Sequence, residues 1–175
     1  LGVNLVDTAD IYGNGHSEEV VGRALRGRRD NWVIATKVGF IKDPNQRGRL
    51  MDFSCKHVRH ACEASLQRLQ TDCIDFYQLH GMPPEHQVAE SVNELIKLQR
   101  EGKIRFWGVS TALPQYIQIL EGIGNVSIVQ VAFSLVDRTE EPVLDYCAQK
   151  GIGTLVRTPL SRGAAFGKYA MEQAP

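Results

Sequence analysis

The chain has 175 residues, and its 20 Lys and Arg residues balance 20 Asp and Glu residues, so the formal net charge is zero. A hydrophobic content of 43% with 23% charged residues is ordinary for a globular domain and excludes a disordered chain. The neutral balance argues against a nucleic-acid-binding protein or a polybasic membrane anchor, and no apolar run approaches the roughly 20 residues that span a bilayer.

Six short apolar runs predict β-strands along the chain. They are continuously apolar rather than alternating, which is typical of parallel strands buried on both faces. The predicted strands are residues 3–7, 32–36, 74–79, 104–109, 127–133 and 152–156.

Amphipathic segments between these runs predict helices. The first opens near Ser17, where Glu18 and Glu19 are favourably placed against the helix dipole. Ser54 is the predicted N-cap of the second, and the third closes at Gly102. Two shorter helices, over residues 114–121 and 142–150, each have Pro early and Gly after.

Regular alternation of strands and helices predicts right-handed crossovers and a parallel sheet. Two architectures remain open at this point: a doubly wound sheet and a (β/α)₈ barrel. No linker or low-complexity tract divides residues 1–175, so we expect a single domain or part of one. The chain begins at Leu1 and ends at Pro175 without a capped element, and we therefore expect it to be part of a longer protein.

The four cysteines have no CxxC spacing and follow no signal peptide, which favours reduced thiols in a cytoplasmic protein. Cys55, His57, His60 and Cys62 lie close together, but on a helix the two cysteines share one face and the histidines point to the other. Four ligands on opposite faces cannot surround a tetrahedral zinc ion. We therefore expect no metal site.

Polar residues stand where the first three predicted strands end. Asp7 ends the first strand and Tyr12 lies in the turn after it, Lys37 follows the second, and His80 follows the third. The carboxyl ends of parallel strands form the functional face of either architecture, so these four side chains can meet. Each alone has an ordinary structural explanation, such as a turn aspartate or a solvated lysine. Their occurrence at successive strand ends favours a shared site.

The chemistry of these four residues suits carbonyl reduction. A free tyrosine has a pKa of about 10, and a neighbouring ammonium lowers it by favouring the phenolate. A carboxylate beside the lysine keeps that ammonium charged despite burial. A histidine can hold a carbonyl oxygen beside the phenol. The set is a proton donor that lacks only a hydride source.

Five stretches of the sequence resemble the aldo-keto reductase family, in the family's order and across nearly all of the chain. The amino-acid sequences of the third and fifth stretches are similar to those of the branch that contains sugar and aryl-alcohol dehydrogenases and potassium-channel β-subunits. The stretches are residues 7–15 (DTADIYGNG), 34–37 (IATK), 77–80 (YQLH), 108–110 (GVS) and 159–163 (PLSRG).

The resemblance implies a (β/α)₈ barrel with NADPH, favoured over NADH, lying across its C-terminal mouth. It implies that Tyr12 is the general acid, Lys37 the partner that tunes its pKa, Asp7 the counter-ion of the lysine, and His80 the residue that orients the carbonyl. Ser110, Thr111 and Gln130 match residues that bind the nicotinamide carboxamide. Residues matching those beside the cofactor ring and pyrophosphate are Arg157, Thr158, Pro159, Leu160 and Ser161, with Lys168 expected at a cofactor phosphate.

Two substitutions depart from the family pattern: Thr111 stands where many members have Asn, and Arg157 where an aromatic ring usually stacks on the nicotinamide. A complete barrel takes about 250 residues, and the family's first and eighth strands have no counterpart here. We therefore expect an incomplete barrel with about six βα units.

The favoured function is an NAD(P)H-dependent oxidoreductase that reduces an aldehyde or ketone to an alcohol, or runs the reverse reaction. The alternatives are a cofactor-binding regulatory or sensor subunit on the same scaffold, or a truncated inactive fragment. The expected partner is a small carbonyl, sugar or alcohol substrate, with no nucleic acid and no membrane. The sequence names neither the individual substrate nor the oligomeric state.

Overall fold

The computed structural model describes residues 2–42, 49–111, 113–161 and 163. Within these residues, eight strands and five α-helices follow one another. The strands are β1 (Leu5–Asp7), β2 (Val33–Val38), β3 (Phe40–Lys42), β4 (Arg49–Met51), β5 (Ile74–Leu79), β6 (Ile104–Ser110), β7 (Ile128–Ala132) and β8 (Gly153–Arg157). The helices are α1 (His16–Leu25), α2 (Cys55–Leu69), α3 (Glu85–Arg100), α4 (Pro114–Glu121) and α5 (Glu141–Lys150), and a 3₁₀ turn covers Arg29–Asn31.

Six of the strands form one parallel sheet in the order β1-β2-β5-β6-β7-β8. Each new strand is added to the same side of the previous one, so the strand order never reverses. A doubly wound sheet reverses its order at a switch point, whereas a (β/α)₈ barrel adds strands in one direction around its axis. The structure thus decides between the two predicted architectures: it is the incomplete barrel.

The six predicted parallel strands are confirmed, with shifts of one or two residues at their ends. The second differs in a way that matters for the site, because β2 continues to Val38, which pairs with Leu79 of β5. Lys37 therefore lies inside the strand rather than after it. The short antiparallel hairpin of β3 and β4 is absent from the sequence-based prediction.

The predicted helix ends agree with the structure at two points. The Ser54 side chain accepts a hydrogen bond from the His57 amide at 3.3 Å, as an N-cap does. Gly102 has a φ of 74°, the left-handed conformation of a residue that closes a helix. The first helix begins at His16, one residue before Ser17, with left-handed Gly15 in the N-cap position.

The hydrophobic core lies between the parallel sheet and its helices. Tyr77 of β5, Leu95 of α3 and Trp107 of β6 are among its fully buried side chains. Burial of apolar surface contributes about 25 cal/mol per Å² to the stability of this core. The packed core fixes the strands whose carboxyl ends carry the polar residues. Among the described residues, no helix has the length and apolar character needed to cross a membrane.

Candidate active site

The structure brings the four predicted catalytic residues together at the carboxyl ends of β1, β2 and β5. Asp7 is the last residue of β1, Lys37 lies one residue before the end of β2, and His80 directly follows β5. Tyr12 stands in the loop between β1 and α1. Parallel pairing of these three strands, with Asp7 opposite Ala35 and Lys37 opposite Gln78, sets this arrangement.

Lys37 is fully buried and its ammonium group has three close acceptors. The Nζ atom donates to both carboxylate oxygens of Asp7 at 2.8 Å and to the carbonyl oxygen of Thr8 at 2.7 Å. Burial lowers the pKa of Lys37, and the charge and hydrogen bonds of Asp7 oppose that shift. The predicted pairing of these two residues is present.

Tyr12 lies at the rim of the site, close to both Lys37 and His80. Its ring centroid is 5.6 Å from the Lys37 Nζ atom and 5.9 Å from the centroid of the His80 ring, which it meets edge to face. The tyrosine is 40% exposed, so a molecule arriving from solvent can reach it. A phenol beside an ammonium and an imidazole can donate a proton to a bound carbonyl oxygen.

His80 is held from two sides. Its backbone amide donates to the Val38 carbonyl at 2.8 Å, which continues the β2–β5 pairing beyond the strand. The Phe40 ring packs edge to face on the imidazole, with the ring centroids 5.0 Å apart. The sequence analysis missed Phe40 because this contact depends on the unpredicted β3–β4 hairpin. In the sequence, Gly39 between β2 and Phe40 was the available signal of a turn, and in the structure its backbone is left-handed.

The segment that carries Tyr12, residues 8–17 (hereafter the Tyr12 loop), is tied to β2 and α1. The Thr8 and Asp10 amides donate to the Ala35 and Lys37 carbonyls at 2.9 and 3.3 Å. The Thr8 hydroxyl donates to the Ser17 hydroxyl at 2.8 Å. Burial, with a further contribution from the charge of Glu18, raises the pKa of Asp10 to about 7. Asp10 had no predicted role.

The predicted carboxamide-binding residues lie at the same edge of the sheet. Ser110 ends β6 and pairs in register with Gln130 of β7, whose side chain is buried. The Thr111 amide donates to the Gln130 carbonyl at 3.2 Å, so the backbone pairing extends past Ser110. A hydroxyl and a carboxamide side by side are suitable donors and acceptors for a ligand carboxamide.

The predicted ring- and pyrophosphate-contacting residues follow β8. Arg157 ends the strand and its guanidinium is 3.4 Å from Glu140. Thr158 and Ser161 have left-handed backbones with φ of 56° and 44°. This turn, which also contains Pro159 and Leu160, is exposed from Thr158 to Leu160, and its backbone can approach a ligand phosphate. Lys168 lies outside the described residues.

The described part of the chain contains no group of three or more His, Cys, Asp and Glu side chains arranged to hold a metal ion. In the Cys55–Cys62 segment, Cys62 is buried under α2 while Cys55 is exposed at the first residue of that helix.

Comparison with known proteins identifies relatives with this fold. The Aldo/keto reductase family model matches residues 1–175. The chain is 37% identical over 163 residues to the uncharacterized oxidoreductase YqkF of Bacillus subtilis, covering 93% of this chain and 53% of that protein.

Two solved structures are similar in both sequence and fold. The glycerol dehydrogenase AKR11B4 from Gluconobacter oxydans superposes with a TM-score of 0.88 at 35% identity, over 99% of this chain and 54% of that one. An aldo/keto reductase from Klebsiella pneumoniae, solved in complex with NADP and acetate, gives a TM-score of 0.79 at 32% identity, over 98% and 58%. The chain therefore spans about half the length of the proteins it matches.

Proposed function

The chain belongs to the aldo/keto reductase family, and on that premise we propose that its protein reduces an aldehyde or ketone to an alcohol, or catalyses the reverse, with a nicotinamide cofactor. The observation that carries the proposal is the buried Lys37–Asp7 pair beside Tyr12 and His80. A buried ion pair contributes little to stability because both of its charges lose their hydration, so its presence beside Tyr12 and His80 favours a functional role.

Each of the four residues has a distinct part in the proposed reaction. The Tyr12 hydroxyl donates its proton to the carbonyl oxygen as that oxygen gains charge. The Lys37 ammonium, 5.6 Å from the phenol ring, stabilises the phenolate that remains, and Asp7 keeps the ammonium charged and in place. His80 donates a hydrogen bond to the same carbonyl oxygen and holds it beside Tyr12.

A bound NADPH would supply the hydride, which goes to the carbonyl carbon while the proton goes to the oxygen. The proposed carboxamide contacts are Ser110, Thr111 and Gln130, whose polar groups lie at the sheet edge shared with the catalytic residues. We propose NADPH rather than NADH, and the similar Klebsiella pneumoniae structure in complex with NADP supports this choice. Residues proposed to contact the ring and the phosphates are Arg157, Thr158, Pro159, Leu160, Ser161 and Lys168.

The proposed substrate is a small molecule whose carbonyl or hydroxyl group reaches the exposed rim at Tyr12. The similarity to a structure named as a glycerol dehydrogenase supports a small polyol or the carbonyl compound formed from it. Both classes can present one oxygen to Tyr12 and His80.

Isotope transfer tests this function in the intact natural protein. The protein is incubated with NADPH deuterated at C4 and a panel of small aldehydes, ketones and sugars, and the alcohols are analysed by mass spectrometry. We expect one deuterium on the carbinol carbon and stoichiometric loss of NADPH absorbance. Tight NADPH binding with no turnover of any compound would contradict the proposal and favour a cofactor-binding sensor subunit instead.

A further inference from the structure

A carboxylate that the proposed reaction does not use lies buried beneath the Tyr12 loop. Glu18, in the first turn of α1, is 0% exposed. Its Oε2 atom is 2.7 Å from the guanidinium of Arg68, and its Oε1 atom accepts a hydrogen bond from the Thr36 hydroxyl at 2.6 Å. The Arg68 side chain is only 25% exposed. A buried charge costs several kcal/mol unless it is paired and hydrogen-bonded.

These contacts join three elements: α1, which follows the Tyr12 loop, β2, which carries Lys37, and α2. Glu18 lies in the first turn of α1, Arg68 lies in the last turn of α2, and Thr36 directly precedes Lys37 on β2. Successive strand residues face opposite sides of a sheet, so Thr36 meets Glu18 on the helix side while Lys37 faces the site. One carboxylate therefore fixes α1 relative to the lysine strand.

Arg68 also packs directly against the end of the Tyr12 loop. A Cβ atom at Gly15 would come within 2.7 Å of the arginine Cδ atom, so the loop backbone lies on the arginine side chain. Gly15 has a φ of 90°, which glycine adopts without strain. The Ser17 amide, two residues after Gly15, donates to the Tyr12 carbonyl at 3.2 Å. The ion pair thus supports the loop within a few residues of the phenol.

We propose that Glu18 and Arg68 are a positioning pair that holds the Tyr12 loop in register with Lys37, an inference that rests on the function proposed above. Neither residue touches the reacting atoms. Plain packing of α1 on α2 does not require the pair, because Gly22 already lets the two helices touch: a Cβ atom there would lie 2.5 Å from the Arg68 carbonyl oxygen. The charges sit instead where the loop, β2 and α2 meet.

Glu18→Gln in the intact natural protein is the test, with Glu19→Gln as the matched control. Glu19 is the next residue of the same helix, and its side chain is 51% exposed. The measurements are kcat for carbonyl reduction across pH, the Kd of NADPH, and hydrogen exchange of the amides of residues 8–17.

For Glu18→Gln we expect kcat to fall about tenfold or more, because small displacements of a catalytic group are costly. We expect NADPH affinity to stay within about twofold, because the pair lies away from the proposed cofactor contacts. The alkaline limb of kcat is measured in Arg68→Lys, which keeps both charges, and should move up by about half a pH unit, since a phenol farther from the ammonium keeps its proton longer. Residues 8–17 should lose exchange protection, and Glu19→Gln should change none of these.

A fall in kcat of Glu18→Gln with unchanged exchange protection of residues 8–17 would overturn the proposal, because the loop is then not displaced. Equal behaviour of the two variants would overturn it too. If Glu18→Gln does not fold, Arg68→Lys tests the proposal by itself. This variant keeps the positive charge but loses the two-nitrogen fork of the guanidinium. An alkaline limb of kcat that does not move would then refute the inference. If the wild-type protein has no turnover, the proposed function fails, and exchange protection of residues 8–17 alone decides on the pair.

Discussion

Replacing Asp7 by asparagine removes the only carboxylate that bonds the buried Lys37 ammonium among the described residues. The wild-type ammonium has two carboxylate oxygens at 2.8 Å and the Thr8 carbonyl at 2.7 Å. In the variant the Thr8 carbonyl and one amide oxygen remain, while the new amide NH₂ group is repelled by the ammonium. One charge-assisted hydrogen bond and the neutralising charge are lost.

The size of the effect follows from the burial of the two groups. A hydrogen bond to a charged group contributes about 1.5–3 kcal/mol, and the Asp7 side chain is 32% exposed, so solvent screening places the loss toward the lower end. We expect the free energy of unfolding to fall by about 2 kcal/mol at neutral pH. The kcat for carbonyl reduction should fall by roughly tenfold or more, because a less stable ammonium supports the phenolate less well.

The loss should depend on pH in a defined direction. Burial lowers the pKa of Lys37 below its usual 10.5, Asp7 opposes that shift, and the variant should lower the pKa further. A lysine with a depressed folded-state pKa destabilises the protein below that pKa, and the penalty disappears as the pH rises toward the unfolded value. The stability deficit of Asp7→Asn should therefore shrink as the pH rises toward 10.5.

Urea unfolding followed by tryptophan fluorescence measures this deficit, since Trp107 is buried. Asp145→Asn, on the exposed side of α5, is the control and should change stability by less than about 0.5 kcal/mol. A deficit that stays constant from pH 8 to 10.5, or one no larger than the control, would refute the assigned role of the Lys37–Asp7 pair.

Three further predictions concern stability and thiol chemistry. Gly39→Ala places a Cβ atom 2.0 Å from Phe53 at a φ of 127°, and we expect it to cost roughly 3 kcal/mol in urea unfolding. Gly102→Ala, where the space is open, should cost only the left-handed backbone strain of about 1–2 kcal/mol; equal losses would contradict the clash. Ser54→Ala should cost about 1 kcal/mol by removing the N-cap, and no loss of thermal stability would argue against that cap. Burial raises the pKa of Cys62 to about 12, so an aromatic disulfide reagent at pH 8 should label exposed Cys55 and spare Cys62 until urea is added; prompt labelling of Cys62 would contradict its burial.

The positions of the candidate catalytic residues could be predicted from sequence because they follow from where the apolar strands end. A buried parallel strand is recognisable as an apolar run, and whatever polar residue follows it lies at the functional edge. That reasoning placed Asp7 and His80 correctly. It placed Lys37 just after the second strand, whereas Lys37 lies inside β2. The strand is longer than predicted because its backbone pairing with β5 extends to Val38.

The parts that the sequence analysis missed depend on contacts between distant segments. From the sequence, Glu18 is an acidic residue in the first turn of a helix, where exposure to solvent and a favourable interaction with the helix dipole are expected. In the structure it is fully buried and paired with Arg68, 50 residues later in the chain. The strands of the β3–β4 hairpin have three residues each, too few to show a period. Without that hairpin, nothing in the sequence places Phe40 against His80.

Tyr12→Phe in the intact natural protein tests the central claim most directly, because it removes one oxygen atom and leaves the ring that packs against His80. NADPH-dependent carbonyl reduction and the Kd of NADPH are measured on the same preparation. The proposed general-acid role predicts that kcat falls by at least about 100-fold while the Kd stays within about twofold. A variant that keeps more than a tenth of the wild-type kcat, or that loses NADPH binding together with turnover, would contradict it.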